Sequence, residues 1–344
     1  MKLRHDLPRS LWASLVISVV AHFATAQMAR DEIEPLLYYA RGNNVQLVYQ
    51  KTAEDQGMVD IYEFRENGGY ATLGCQVVTR NGSLVAQKSS DNHDNVSLNI
   101  SPWPPTSEIQ VTAADSGRRL DASGEYRSVD KQTMMKTEAK RFADADQQLN
   151  SVYRQVVAEL QPANIGALRQ FQREWANNRD DSADTLVHLN YGELESGDKQ
   201  IQLDLARTLD TLDRIKLLMH FPAAMAAPGI TGTYSTNWHR TLRIDEHNGE
   251  VAFGISALNP RNGSTGDLVG RAKLRGNKIH WIDAKDSPRD PQTGQPAEVT
   301  ITFKANGLAT VESKNDDSHH GVGIIFGGDY LRTSATRPKI DDSQ

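Results

Sequence analysis

Phe142-Ala-Asp-Ala-Asp-Gln-Gln-Leu149-Asn-Ser-Val-Tyr153-Arg-Gln-Val156-Val-Ala-Glu-Leu160 spaces its large apolar side chains by seven, four, three and four residues. That is the period of one helix face. Residues 133–160 contain neither Gly nor Pro and Pro162 follows, so one long helix is expected to end there. A second helix is expected from about Asn164 to Val187, with Leu168, Phe171, Gln172 and Trp175 on one side. After Tyr191-Gly-Glu and Ser196-Gly-Asp198, a third carries Leu205, Leu209, Leu212, Ile215 and Met219, with Asp198 as a plausible cap. Residues 133–220 therefore read as a helical hairpin plus a third helix.

On both sides the period falls to two. Upstream lie Asn44–Tyr49, Met58–Phe64, Tyr70–Val78, Ser83–Ala86, Val96–Ile100, Glu108–Thr112 and Leu120–Tyr126, separated by Gly-, Asn- and Pro-rich turns. A small antiparallel sandwich or barrel follows, and Asn81-Gly82 is its clearest hairpin because that pair accepts the positive φ angles of a type I′ turn. Downstream of an Ala/Pro linker at Pro222–Gly229, about eight short stretches recur, from Gly232–Ser235 to Gly323–Phe326 and Asp329–Arg332. They suggest an up-and-down barrel whose terminal strands pair. The fold class is α+β multidomain: an N-terminal antiparallel β-domain (27–131), a helical domain (132–221), a C-terminal antiparallel β-barrel (229–333) and a disordered tail (334–344).

Lys2, Arg4, His5 and Arg9 precede the apolar run Leu11–Ala21, and Ala24-Thr-Ala26 precedes Gln27, the order of a secretory signal peptide cleaved after residue 26. The run is short of the ~20 residues a membrane span needs. Export to the periplasm is expected, with no stable membrane span once the signal is cleaved. The chain has 38 Lys+Arg against 44 Asp+Glu. Loss of Lys2, Arg4, Arg9 and Asp6 leaves 35 against 43, a net −8. That balance, with no Lys/Arg run, argues against nucleic acid as a partner. The lone Cys75 excludes disulfide frameworks and cysteine zinc sites. In its apolar run it reads as a small buried hydrophobe.

No Gly-x-Ser-x-Gly, His-Glu-x-x-His or Walker loop is present, so no enzyme is expected. Gly321–Gly328 lacks the lysine of a phosphate cradle and reads as tight strand turns. His319 and His320 beside Asp316 and Asp317 read as a solvated loop, so no metal and no cofactor are expected.

Three pieces in order carry a resemblance: Ala143-Asp-Ala-Asp-Gln-Gln-Leu149-Asn150-Ser-Val-Tyr153, Leu168-Arg-Gln-Phe-Gln172-Arg-Glu-Trp175-Ala-Asn-Asn-Arg179-Asp180, and Ala206-Arg207-Thr208-Leu-Asp-Thr-Leu212. They resemble the lysozyme inhibitor LprI N-terminal domain family over about residues 138–218, with extra β-domains on either side. The resemblance implies stapling cysteines near Ala183 and before the third helix. A Cys-Gly-x-Gly associated with such barrels stands here as His320-Gly-Val-Gly323. Without those bridges the chain forgoes ~2–4 kcal/mol apiece.

Physical chemistry reads Leu149, Tyr153, Leu168 and Trp175 as filling a helix seam, with Asn150, Gln172, Arg179 and Asp180 as a buried polar network that satisfies itself. These are scaffold residues. The resemblance, the export signal and the acidic surface together imply a protein that inhibits a lysozyme-like or other envelope-targeting enzyme by loop insertion and occlusion. The partner is then a muramidase or a secreted toxic effector. The candidate loops are Asn259–Gly266, bearing Arg261, and Asp286–Pro291, bearing Arg289; Trp238 and Trp281 are candidate apolar anchors. Two alternatives remain: an immunity protein against a secreted antibacterial effector, and a carrier of a small hydrophobic ligand or a structural envelope protein. Phe253, Ile255, Leu268, Ile282, Ile301 and Phe303, taken as inward, favour a filled barrel over a carrier.

Overall fold

The computed structural model describes residues 36–65, 68–86, 96–115, 122–236, 240–259, 264–284 and 287–340. The expected signal peptide, Trp238 and Arg261 lie outside the described residues. The chain forms two compact units. The first holds the residues up to Ala145 together with Val187–Leu212; the second holds Asp146–Leu186 and everything from Asp213.

In the first unit, β1 (Leu37–Arg41), β2 (Val45–Ala53), β3 (Gln56–Phe64), β4 (Tyr70–Arg80), β5 (Ser83–Ala86), β6 (Val96–Ser101), β7 (Glu108–Asp115) and β8 (Gly124–Ser128) form a closed barrel in sequence order. Neighbouring strands are antiparallel, and β1 closes on β8 through Tyr39↔Ser128 and Ala40↔Arg127. Leu37–Arg41 completes the barrel yet shows no alternation that marks it as a strand. The Asn81-Gly82 hairpin forms as expected, with φ of 49° and 72° between paired Arg80 and Ser83. Leu47, Ile61, Leu84, Ile100, Ile109 and Tyr126 fill the interior. Each such side chain contributes about 1.5–3 kcal/mol on burial.

The helices are α1 (Lys131–Glu159), α2 (Pro162–Tyr191) and α3 (Ser196–Ala226). Asp130 starts α1: its carboxylate accepts from the Thr133 amide at 2.9 Å and the Thr133 hydroxyl at 2.6 Å. Pro162 begins α2 instead of preceding it by two residues, because at the first helical position its missing N–H costs nothing. α3 runs through Pro222, where a linker was expected. An interior proline costs about 3 kcal/mol. Phe221 and Ala224, both buried, oppose that cost by continuing the packed face. No helix among the described residues is long and apolar enough to cross a membrane.

In the second unit, β9 (Gly232–Ser235), β10 (Arg240–His247), β11 (Glu250–Leu258), β12 (Thr265–Lys273), β13 (Lys278–Ile282), β14 (Glu298–Phe303), β15 (Leu308–Lys314) and β16 (Gly328–Ser334) form an antiparallel sheet ordered β12-β11-β10-β9-β16-β15-β14-β13. The terminal strands β9 and β16 pair, as their Gly/Tyr signatures implied. The sheet curls until its edges nearly meet. There Trp281 of β13 packs against Gly270 of β12, where a Cβ would lie 2.7 Å from both the Trp281 and Phe253 rings. Phe253, Ile255, Leu268, Ile301 and Phe303 point inward as expected. Ile282 does not: it is exposed, because β13 alternates with Ile279 and Trp281 on the core side. Gly323–Phe326, expected as a strand, is a loop leading into β16.

Candidate functional site

The helical motif divides between the units. In the second unit Leu149, Leu168 and Trp175 are buried, and Tyr153 is half-buried. Arg179 Nη1 donates to Asp146 Oδ1 at 2.9 Å, and Asn150 Nδ2 donates to the Asp146 carbonyl at 2.9 Å. Gln172 takes no part in that group. Its Oε1 accepts from Arg214 Nε at 2.8 Å, so the single network expected is two separate ones. Nor is the network buried: Asn150 and Asp180 are exposed, the latter 3.5 Å from Arg179 Nε. The guanidinium of Arg214 lies 4.0 Å from the Phe171 ring centroid and 5.5 Å from that of Trp175, while Arg179 lies 5.3 Å from the latter. Trp175 is thus held by two cations, one from its own helix. Arg214 escaped the sequence reading; its only signal is a position two turns beyond Arg207.

In the first unit the helices cover the outer face of β2 and β3, so β2 is buried on both faces from Val45 to Gln50. The layer is polar. Asp198, expected as a cap, instead accepts from Tyr38 Oη at 3.0 Å and Lys131 Nζ at 3.0 Å. Tyr191 Oη donates to Asp60 at 2.7 Å, and Gln50 donates to the Tyr191 carbonyl at 3.0 Å. Burial, reinforced by the Asp60 charge, drives the Tyr191 and Tyr62 hydroxyls well above their usual range. These bonds hold barrel to helices, while Gln46 Nε2, Glu138 Oε2 and Gln202 Nε2 are buried without a hydrogen-bond partner among the described residues.

The second candidate region is built by topology. In an up-and-down meander, alternate connections emerge at the same end. The β9–β10, β11–β12, β13–β14 and β15–β16 connections therefore share one end of the C-terminal sheet, and the short β10–β11, β12–β13 and β14–β15 turns share the other. The segment 315–327 between β15 and β16 stitches that loop end together. Asn259 Nδ2 donates to the Gly323 carbonyl at 3.3 Å, and the Gly321 amide donates to the Thr265 carbonyl at 2.9 Å. On the other side Gln292 Nε2 donates to Asp317 Oδ2 at 3.1 Å, and His319 Nε2 lies 2.9 Å from Asp283 Oδ2. Arg240 Nη1 bonds the Ile325 carbonyl at 3.0 Å. Asp290, buried, accepts from the Gln292 and Thr293 amides at 2.9 and 2.7 Å. Those Thr293 bonds hold its carboxyl below the usual range.

The two expected inhibitory loops thus flank 315–327. Arg289 is half-buried beside Asp290, and Trp281 is half-buried, edge-on to Phe253 at 5.7 Å between centroids. The segment between the loops was read as tight turns, yet it presents Val322 and Ile325, 82% and 67% exposed, with Ile324 and Phe326 anchored beneath. A solvated loop was expected around the histidines. Instead a 3₁₀ turn, Asp317–His319, brings Asp316, Asp317 and His320 together, and their ligating atoms all lie within 4.8 Å of one another. The side chains of Asp316 and His320 are only 14% and 10% exposed.

Comparison with known families places the helical region. Residues 124–218 match the family model described as Lysozyme inhibitor LprI. The match is just over a quarter of the chain, and it begins in β8, earlier than the helical motif alone indicated. No curated protein matches the chain.

Proposed function

We propose that the protein is an exported, periplasmic inhibitor of a lysozyme-like or other envelope-targeting enzyme, and that it occludes its target with the loop end of the C-terminal barrel. The observation that carries this reading is the match of residues 124–218 to a lysozyme-inhibitor family. The expected signal at residues 1–26 supports export, and the net −8 that remains suits a basic target through electrostatic steering.

The loop end supports the mechanism. An occluding surface needs a few apolar anchors at its centre and a rim that excludes water. Val322 and Ile325 offer exposed apolar area on a loop whose neighbours Ile324 and Phe326 are buried, so little ordering entropy opposes binding. In this reading Arg289 or Arg261 pairs with a catalytic carboxylate and Trp238 is a further apolar anchor, Arg261 and Trp238 lying outside the described residues.

The test is capture and inhibition of purified c-type and g-type lysozymes at low and moderate salt, beside capture from periplasmic extract. Salt-sensitive capture with loss of muramidase activity is the expected result. A secreted effector captured in place of lysozyme moves the reading to an immunity protein. A folded protein that neither binds nor inhibits any such enzyme overturns it. Retained inhibition in a Val322→Asp/Ile325→Asp variant would move the contact surface away from the loops, to the helical region.

A further inference from the structure

The 315–327 segment holds a donor set that the inhibitor reading does not use. His320 Nδ1 lies 3.0 Å from the Gly321 carbonyl oxygen. A carbonyl only accepts, so Nδ1 carries a proton, and whenever the ring is neutral Nε2 presents its lone pair. That lone pair faces Asp316 Oδ2 at 3.9 Å and Asp317 Oδ1 at 3.8 Å. Both separations are beyond hydrogen-bond reach. They are within the span of two ligands held by one ion at the ~2.0–2.2 Å typical of zinc.

The ring is nine-tenths buried and seated edge-on to Phe326, 5.3 Å between centroids, so its direction is set by packing. Among the described residues Nε2 has no hydrogen-bond partner. An imidazole nitrogen within ion-pair distance of two carboxylates, yet hydrogen-bonded to neither, makes with them a converging set of cation ligands. Gln292 Nε2, on Asp317 Oδ2 at 3.1 Å, orients the second carboxylate and leaves its other oxygen for the ion.

We propose that Asp316, Asp317 and His320 form a binding site for a divalent first-row transition cation, zinc being the best fit. One imidazole and two carboxylates suit zinc, whereas calcium and magnesium prefer all-oxygen sets and more ligands. With three protein ligands, the remaining coordination positions go to water or an incoming donor. The ion ties the turn at residues 316–320 together, and so braces the connection that carries Val322 and Ile325.

The experiment is calorimetric titration of chelator-treated full-length protein, carrying no polyhistidine tag, with zinc chloride, and with calcium chloride as the contrast. One saturable zinc site per chain is expected, with no comparable calcium binding. Asp317→Asn, at a half-exposed position, should leave the melting temperature unchanged and weaken zinc by about tenfold or more. His320→Gln should abolish binding, and His188→Gln, at an exposed histidine elsewhere, should change nothing. The absence of saturable zinc binding in folded protein overturns the proposal. So does zinc affinity unchanged in Asp317→Asn.

Discussion

Arg179 Nη1 stands 2.9 Å from Asp146 Oδ1, tying α2 to α1, while its guanidinium lies 5.3 Å from the Trp175 ring centroid. The ion pair alone is modest, because Asp146 is 42% exposed and water screens it. Arg179→Ala should therefore cost only about 1 kcal/mol, whereas Trp175→Ala, which empties a buried site, should cost ~3–5 kcal/mol. Urea denaturation of the two variants measures the difference. Equal losses would mean that the charged group, and not the indole, carries the seam.

Glu138 is a buried carboxyl of the first unit. Arg141 Nη1 bonds its Oε1, and its Oε2 has no partner among the described residues. Burial raises its pKa above 4.5, with Arg141 opposing and the Asp204 charge adding to the rise. The folded state therefore binds this proton more tightly than the unfolded chain does. Its contribution to stability is full below about 4.5 and is lost as pH rises through the raised value. Glu138→Gln should flatten that part of the profile, as read by urea midpoints at a series of pH values; parallel profiles in the two proteins would show that the pKa is not raised.

Val322 and Ile325 are exposed, so Val322→Asp/Ile325→Asp should change stability by no more than ~0.5 kcal/mol per site. Inhibition of the target should nonetheless fall by at least about tenfold, the scale of 1.4 kcal/mol at a central contact. A melting curve and a muramidase assay on the same sample separate the two effects.

Burial, with the Asp60 charge adding to it, pushes the Cys75 thiol up to about 12. At pH 8 almost no thiolate is present, so modification by a disulfide reagent should be at least about tenfold slower in native than in urea-unfolded protein. Equal rates would place Cys75 in an open, thiolate-favouring setting.

The helices were legible because a seam of Leu149, Leu168 and Trp175 imposes its period on the chain, and the second barrel because its strands alternate. β1 was not, since Tyr38 and Tyr39 are both buried, one toward the helices and one in the barrel, which erases alternation. Trp281 and Ile282 show the limit of reading aromatics as exposed anchors. One step of register decides which faces the core, and it chose Trp281. Arg214 and the Val322/Ile325 pair had no pattern of their own, since their roles come from residues distant in sequence.

The order of residues alone specified the class of each of the three domains, the Asn81-Gly82 turn, the helical motif and the pairing of β9 with β16. These rest on local periodicity, turn chemistry and side-chain volume, which neighbouring residues fully express. Only the tertiary structure decided that α3 continues past Pro222, that Asp198 serves β1 and not its own helix end, and that three loops far apart in the chain meet around residues 315–327. Those outcomes depend on burial and on hydrogen bonds between distant segments. Their free energies exceed local preference, and they exist only once the chain has closed its sheets.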